Sequence, residues 1–144
     1  MCLNIKKQFD SVEEVTDFMR KPNIATEDIV VYKVLEDNYD GSKTISPYRD
    51  VEYEIGELKT APEFGYSCEN ATNDDRDKIV IALFIDRGIH SYKTIESAKI
   101  GTLNMFDQCF AVKSIIPKGT PYFENDGEYV SLALQMPNKF ERIK

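Results

Sequence analysis

Strand-like alternation of apolar and polar positions dominates the second half of the chain. Between residues 106 and 116, Phe110 and Val112 fall on one face and Ala111, Lys113 and Ile115 on the other. Pro117 then removes a donor that the ladder would need. Gly119 lets the chain turn, Tyr122 and Phe123 re-enter a strand, and Asn125-Asp126-Gly127 supplies the positive φ angles of a tight reversal. After it Val130, Leu132, Leu134 and Met136 point one way, while Tyr129, Ser131, Ala133 and Gln135 point the other. The pattern predicts a hairpin whose even-numbered face is core. The tail from 137 to 144 reads as basic and at most lightly docked.

The first half mixes periods. Ser11 followed by Glu14 is a capping box, with Val12, Val15, Phe18 and Met19 on one helical face and Pro22 preventing continuation. Residues 29–35 (IVVYKVL) are rich in β-branched side chains and too short for a typical helix, so they predict a buried strand. Lys33 is the odd member of that run, and it either snorkels out at an edge or reaches into a site. Residues 36–43 form a turn around Asp40-Gly41. Alternation over 51–55 predicts a strand with Val51, Tyr53 and Ile55 on one face and Glu52 and Glu54 on the wet one. Residues 58–78 carry no sustained period and are expected to be a long loop, with room for a short strand near Phe64. Residues 79–85 (IVIALFI) are apolar on both faces, which predicts a strand covered on both sides or meeting a partner. Thr94 caps a short helix through Ile95 and Ala98, with Gly101 placed for its C-terminal cap. Together these elements predict a single α+β domain over residues 1–144. Its antiparallel or mixed β-sheet would have about five to seven strands, with two helices packed on it.

Composition narrows the partners. The 144 residues are enough to bury a core without disulfides, and no run approaches the roughly 18 apolar residues of a membrane span. The first residues lack the apolar core of a signal peptide, so a cytoplasmic location with reduced thiols at Cys2, Cys68 and Cys109 is expected. Their spacing matches no metal knuckle, and the sequence calls for no metal or cofactor. In that compartment the Asn70-Ala71-Thr72 triplet is a chance glycosylation match. A net charge of −7 opposes duplex nucleic acid, where each phosphate contact wants a Lys or Arg, yet it permits a small basic pocket or an acidic surface for a protein partner. The doubly apolar 79–85 strand is also compatible with a homo-oligomer.

The candidate chemistry is sparse. His90 is the one histidine, at the junction between a strand and a helix, where it can serve as acid, base or hydrogen-bond donor. Any serine or cysteine nucleophile would have to share it. Lys118-Gly119-Thr120 lacks the glycine-rich start of a phosphate loop and precedes a strand. A binding pocket demands less: Lys33, Tyr48, Arg49, His90, Tyr92, Lys118 and Tyr122 lie in strands or near strand ends and turns and suit base stacking and phosphate pairing. The leading expectation is therefore a non-enzymatic binding protein that captures a nucleotide-type small molecule or a host protein.

Two resemblances bear on this. The series Val31-Tyr32-Lys33, Ser46-Pro47-Tyr48, Tyr53-x-x-Gly56, Gly88-Ile89-His90-Ser91-Tyr92 and Ile116-Pro117-Lys118-Gly119-x-x-Tyr122 resembles small uncharacterised proteins of bacteriophages and their bacterial hosts. That resemblance implies an accessory role such as an inhibitor that blocks a host defence. Separately, Gly88-Ile89-His90 followed by Ala98, and Glu128-Tyr129-Val130 after a turn, is loosely similar to ADP-ribosyltransferases. It implies the alternative of an enzyme acting on NAD, with Glu128 as the acid group and His90 beside it. Tyr32-Lys33 departs from that family, which has an arginine or histidine in its first strand, and the Ser-Thr-Ser type triplet is missing.

Overall fold

The computed structural model describes residues 3–39, 41–47, 51–73, 78–103 and 108–144, of which the side chains of 3–8, 71–73 and 78–79 are set aside. Two antiparallel sheets and two short helices make up the described chain. The smaller sheet has the order β1 (Leu3–Phe9), β7 (Lys78–Arg87), β6 (Gly65–Asn73). The larger runs β2 (Asn23–Ile24), β10 (Pro121–Asn125), β11 (Glu128–Ser131), β8 (Ile89–Tyr92), β3 (Ile29–Asp37), β9 (Cys109–Ile116), β12 (Ala133–Gln135), β5 (Leu58–Thr60). A ninth strand, β4 (Thr44–Ile45), pairs with the end of β3. Among the described residues no helix is long and apolar enough to cross a membrane.

The strongest sequence signals form as expected. Helix α1 (Val12–Met19) is capped by Ser11, whose Oγ accepts from Glu14 N, while Glu14 accepts in return from Asp10 N. Its Val15, Phe18 and Met19 pack with Phe9, Leu83, Ile85, Phe123 and Val130, joining the smaller sheet to the outer face of the β10–β11 hairpin, whereas Val12, expected on the same face, is exposed. Phe18 stacks on Phe123 at 5.4 Å between centroids. β3 pairs along its length with β9, from Ile29 opposite Ile116 to Glu36 opposite Cys109. Val31 and Leu35 of β3, Phe110, Val112 and Ile116 of β9, and Leu134 and Met136 in and just after β12 form the main core, each removed almost entirely from water. Full burial of such side chains contributes about 1.5–3 kcal/mol apiece.

Other elements differ from expectation. The predicted 58–78 loop contains β5 and the nine-residue β6, whose polar sequence hides it: it is an outer strand with a wet face, so pairing with β7 holds it in place of apolar burial. Residues 51–55 make no strand. Tyr53 alone turns inward, at 5 % exposed against 36 % for Val51 and 59 % for Ile55, and the segment touches β4 through a single bridge, Ile45 to Glu52. The last strand divides at Leu132, whose N–H bonds Pro121 and whose carbonyl bonds Ala61. That break shifts parity, so Tyr129 joins Leu134 and Met136 in the main core while Val130 faces the other way. Gly101 is no cap. It sits inside a π-helical turn, Lys99–Leu103, that continues α2 (Ile95–Ala98), and the Tyr92 ring occupies the space where a Cβ would stand. The tail is docked: Ile143 bridges Ala111, and Arg142 grips Asp37 bidentately at 2.7 and 2.9 Å while lying over Phe110.

Candidate functional site

The site arises where two neighbouring strands of the large sheet part. β3 and β8 share one paired position, Tyr32 opposite Tyr92. Beyond it β3 continues on β9, with Lys33 opposite Val112, but β8 veers away. The cause is upstream. β7 belongs to the smaller sheet and β8 to the larger, and the chain crosses between them at Gly88, with φ of 132°. A side chain there would collide with Val130, so glycine is what lets the crossing run so close to β11.

The gap holds a pocket of about 90 Å³ lined by Lys33 and Val34 of β3, Gly88, His90 and Tyr92 of the crossing strand, and Thr102 of the π turn. Ser46, Pro47, Val51 and Tyr53 close it from above. Across the gap Lys33 Nζ donates to the carbonyl oxygen of His90 at 2.7 Å, standing in for a main-chain donor that the diverging strands do not bring together. Nζ also lies 5.0 Å from the centroid of the Tyr53 ring. Lys59 approaches the same ring at 5.2 Å, held by the Glu52 carbonyl.

Lys33 is 6 % exposed, and among the described residues no carboxylate pairs with it. Burial without a counter-ion lowers its pKa to about 7, so near neutral pH the amine is poised between its charged and uncharged forms. Burial, with Glu57 adding to it, pushes the Tyr53 hydroxyl up to about 12 and keeps it neutral. The Tyr92 hydroxyl and Thr102 Oγ1 share a 2.6 Å hydrogen bond that fixes the back wall. The arrangement offers a buried amine, an aromatic wall, a histidine and a hydroxyl pair in a confined volume.

No protein-family model, curated protein or solved structure matches this chain. The site therefore rests on its own geometry. Of the residues singled out from sequence, Lys33, His90 and Tyr92 converge on the pocket. Tyr48 and Arg49 lie outside the described residues, between the lining residues Pro47 and Val51. Cys2 also falls outside them. Lys118 and Tyr122 do not border the pocket: Lys118 is exposed in the turn after β9, its N–H bonded to Asp28, and Tyr122 packs against Tyr129 at 5.7 Å. Glu128 begins β11 opposite Tyr92 and is likewise not part of the lining, although burial raises the pKa of its carboxyl. Among the described residues no group of three His, Cys, Asp or Glu could hold a metal.

Sequence reasoning missed Tyr53, Ser46 and Thr102 as lining residues. Tyr53 carried a signal, an inward aromatic between two glutamates, but its partner across space was a lysine 20 positions away. Thr102 carried none, because its role depends on the π turn that brings it to Tyr92.

Proposed function

We propose that this is a non-enzymatic binding protein that captures a small anionic ligand of the nucleotide type, with Lys33 as the group that meets the anion. One observation carries the reading: a buried lysine with no carboxylate partner among the described residues borders a pocket. A buried ammonium is costly until a counter-charge arrives, and an incoming oxyanion supplies it. The pocket's size limits what enters. About 90 Å³ accepts a phosphate, a carboxylate or the edge of a base, with the rest of the ligand outside. In the setting implied by the resemblance to phage proteins, such capture would withdraw a host signal molecule.

Binding an anion beside Lys33 holds the proton on the amine, so complex formation takes up a proton above pH 7 and tightens as pH falls. The test is thermal unfolding with inorganic phosphate, adenosine monophosphate and a cyclic nucleotide, each over a concentration series. A ligand at 100 times its Kd adds about 2.7 kcal/mol to the native state. The expected result is a rise in Tm with at least one probe that disappears in Lys33→Met. A flat Tm with every probe would overturn the reading. So would nicotinamide release from NAD that is abolished in Glu128→Gln, since that is the enzyme's signature.

A further inference from the structure

We propose that Lys33 is also a covalent capture site, forming a reversible imine with a small carbonyl compound that enters the β3–β8 gap. The inference shares with the proposed function the premise that the pocket admits a ligand. It does not require that the ligand be an anion.

An amine that is to attack a carbonyl needs an accessible lone pair, a confined approach and a way to shed water. Lys33 lines the pocket, and its Nζ spends one hydrogen bond, to the His90 carbonyl. No carboxylate among the described residues locks it as an ammonium. Burial favours the uncharged form, the state that exposed lysines hardly populate near neutral pH. The apolar walls, Val34, Pro47, Val51 and the Tyr53 ring, favour dehydration over hydrolysis once the adduct forms.

The chemistry balances without a further reagent. The nitrogen lone pair attacks the carbonyl carbon, a C–N bond forms, and the carbonyl π electrons pass to oxygen. A proton moves from nitrogen to that oxygen, giving a carbinolamine. The hydroxyl then leaves as water, taking one more proton, the nitrogen lone pair closes the C=N bond, and the iminium nitrogen gives up its remaining proton, which replaces the one taken. These protons are exchanged with solvent water, and His90 lines the same pocket. The Tyr92–Thr102 hydroxyl pair offers hydrogen bonds to the oxygen before it departs.

The experiment treats the full-length protein at pH 7.5 with acetaldehyde, and in a second arm glyoxylate, each with cyanoborohydride to trap the imine. Peptide mass spectrometry then compares occupancy at Lys33 with that at the exposed Lys93 and Lys118. A group with pKa about 7 is mostly uncharged at this pH, whereas an ordinary lysine is uncharged about one time in a thousand. Even after loss to steric access, Lys33 is expected to exceed the exposed sites by about tenfold. The preference should vanish in urea, where all lysines become alike. That control needs no variant, so it holds even if Lys33→Met misfolds. Labelling of Lys33 at or below the level of Lys93 and Lys118 overturns the inference. If phosphate or nucleotide still raises Tm in a Lys33-dependent way, the binding reading survives that failure. If neither carbonyl nor anion reaches Lys33, both fall together.

Discussion

Replacing Lys33 by methionine should stabilise the protein at neutral pH and destabilise it in alkali. Methionine keeps most of the aliphatic stem and removes the amine. At about 1.4 kcal/mol per pH unit, a fall from the ordinary 10.5 to about 7 means that burying this side chain costs about 5 kcal/mol below pH 7, where the lysine is charged in both the folded and the unfolded chain. Against this, the substitution loses the bond to the His90 carbonyl and the contact with Tyr53, and leaves that carbonyl without its lysine donor, about 2 kcal/mol in all. The net expectation at pH 7 is a gain of about 2–3 kcal/mol.

The pH dependence distinguishes this from a simple packing effect. The folded-state pKa lies below the unfolded one, so the unfolded chain holds the extra proton between about 7 and 10.5. In the wild type the penalty is therefore full below pH 7 and fades as pH rises toward 10.5. Between pH 6 and 10 the Lys33 contribution should change by about 4 kcal/mol, and the stability order of the two proteins should cross near the upper end. Tyr53 sets the upper limit of the window. Its pKa is raised to about 12, so its stabilisation is full below pH 10 and is lost as pH climbs through 12, in the opposite sense. Urea unfolding of both proteins at intervals from pH 6 to 10, with m-values compared, reads the difference. A difference that stays flat across this range, or a variant less stable at pH 6, would refute the account of Lys33 as a buried amine without a counter-ion.

Three further outcomes follow from single contacts. Ser91 Oγ is buried with no hydrogen-bond partner among the described residues, so Ser91→Ala should raise stability in urea by about 1 kcal/mol; a loss would mean the hydroxyl is satisfied. Gly101→Ala drives a methyl group into the Tyr92 ring and its 2.6 Å bond to Thr102, and should cost about 1–3 kcal/mol and weaken any ligand-induced shift in Tm, whereas Gly41→Ala, with open space around it, strains only its own backbone and should leave that shift intact. Cys109 is buried, and burial with Glu36 nearby raises its thiol to about 11, while Cys68 is exposed. In a Cys2→Ser background, a thiol reagent at pH 8 should label Cys68 quickly and Cys109 only on unfolding, and rapid native labelling of Cys109 would contradict its packing.

The sequence made the site legible in proportion to how local each cause is. The Ser11–Glu14 capping box, the Asp126-Gly127 turn and the β-branched run of β3 each act within a few residues, and all three are present as read. β6 was illegible because its stability comes from hydrogen bonds to β7 and not from its own side chains. The parity change at Leu132 was hidden for a related reason: the alternation from 130 to 136 looks continuous, and the break is forced only when Pro121 and Ala61 claim its backbone groups. Lys33 stands between these extremes. An apolar strand interrupted by one lysine fits an edge where the chain can snorkel to water, yet β3 lies between β8 and β9 and Lys33 is buried. What decides the outcome is the crossing at Gly88, which pulls β8 off β3 and leaves a main-chain oxygen for the lysine to reach. The same divergence that costs the sheet its ladder makes the pocket, so the amine that repairs the gap is also the group a ligand would meet. Any substitution that closed the strands, letting β8 pair with β3 past Tyr92, would remove the need for Lys33 and the site in one step.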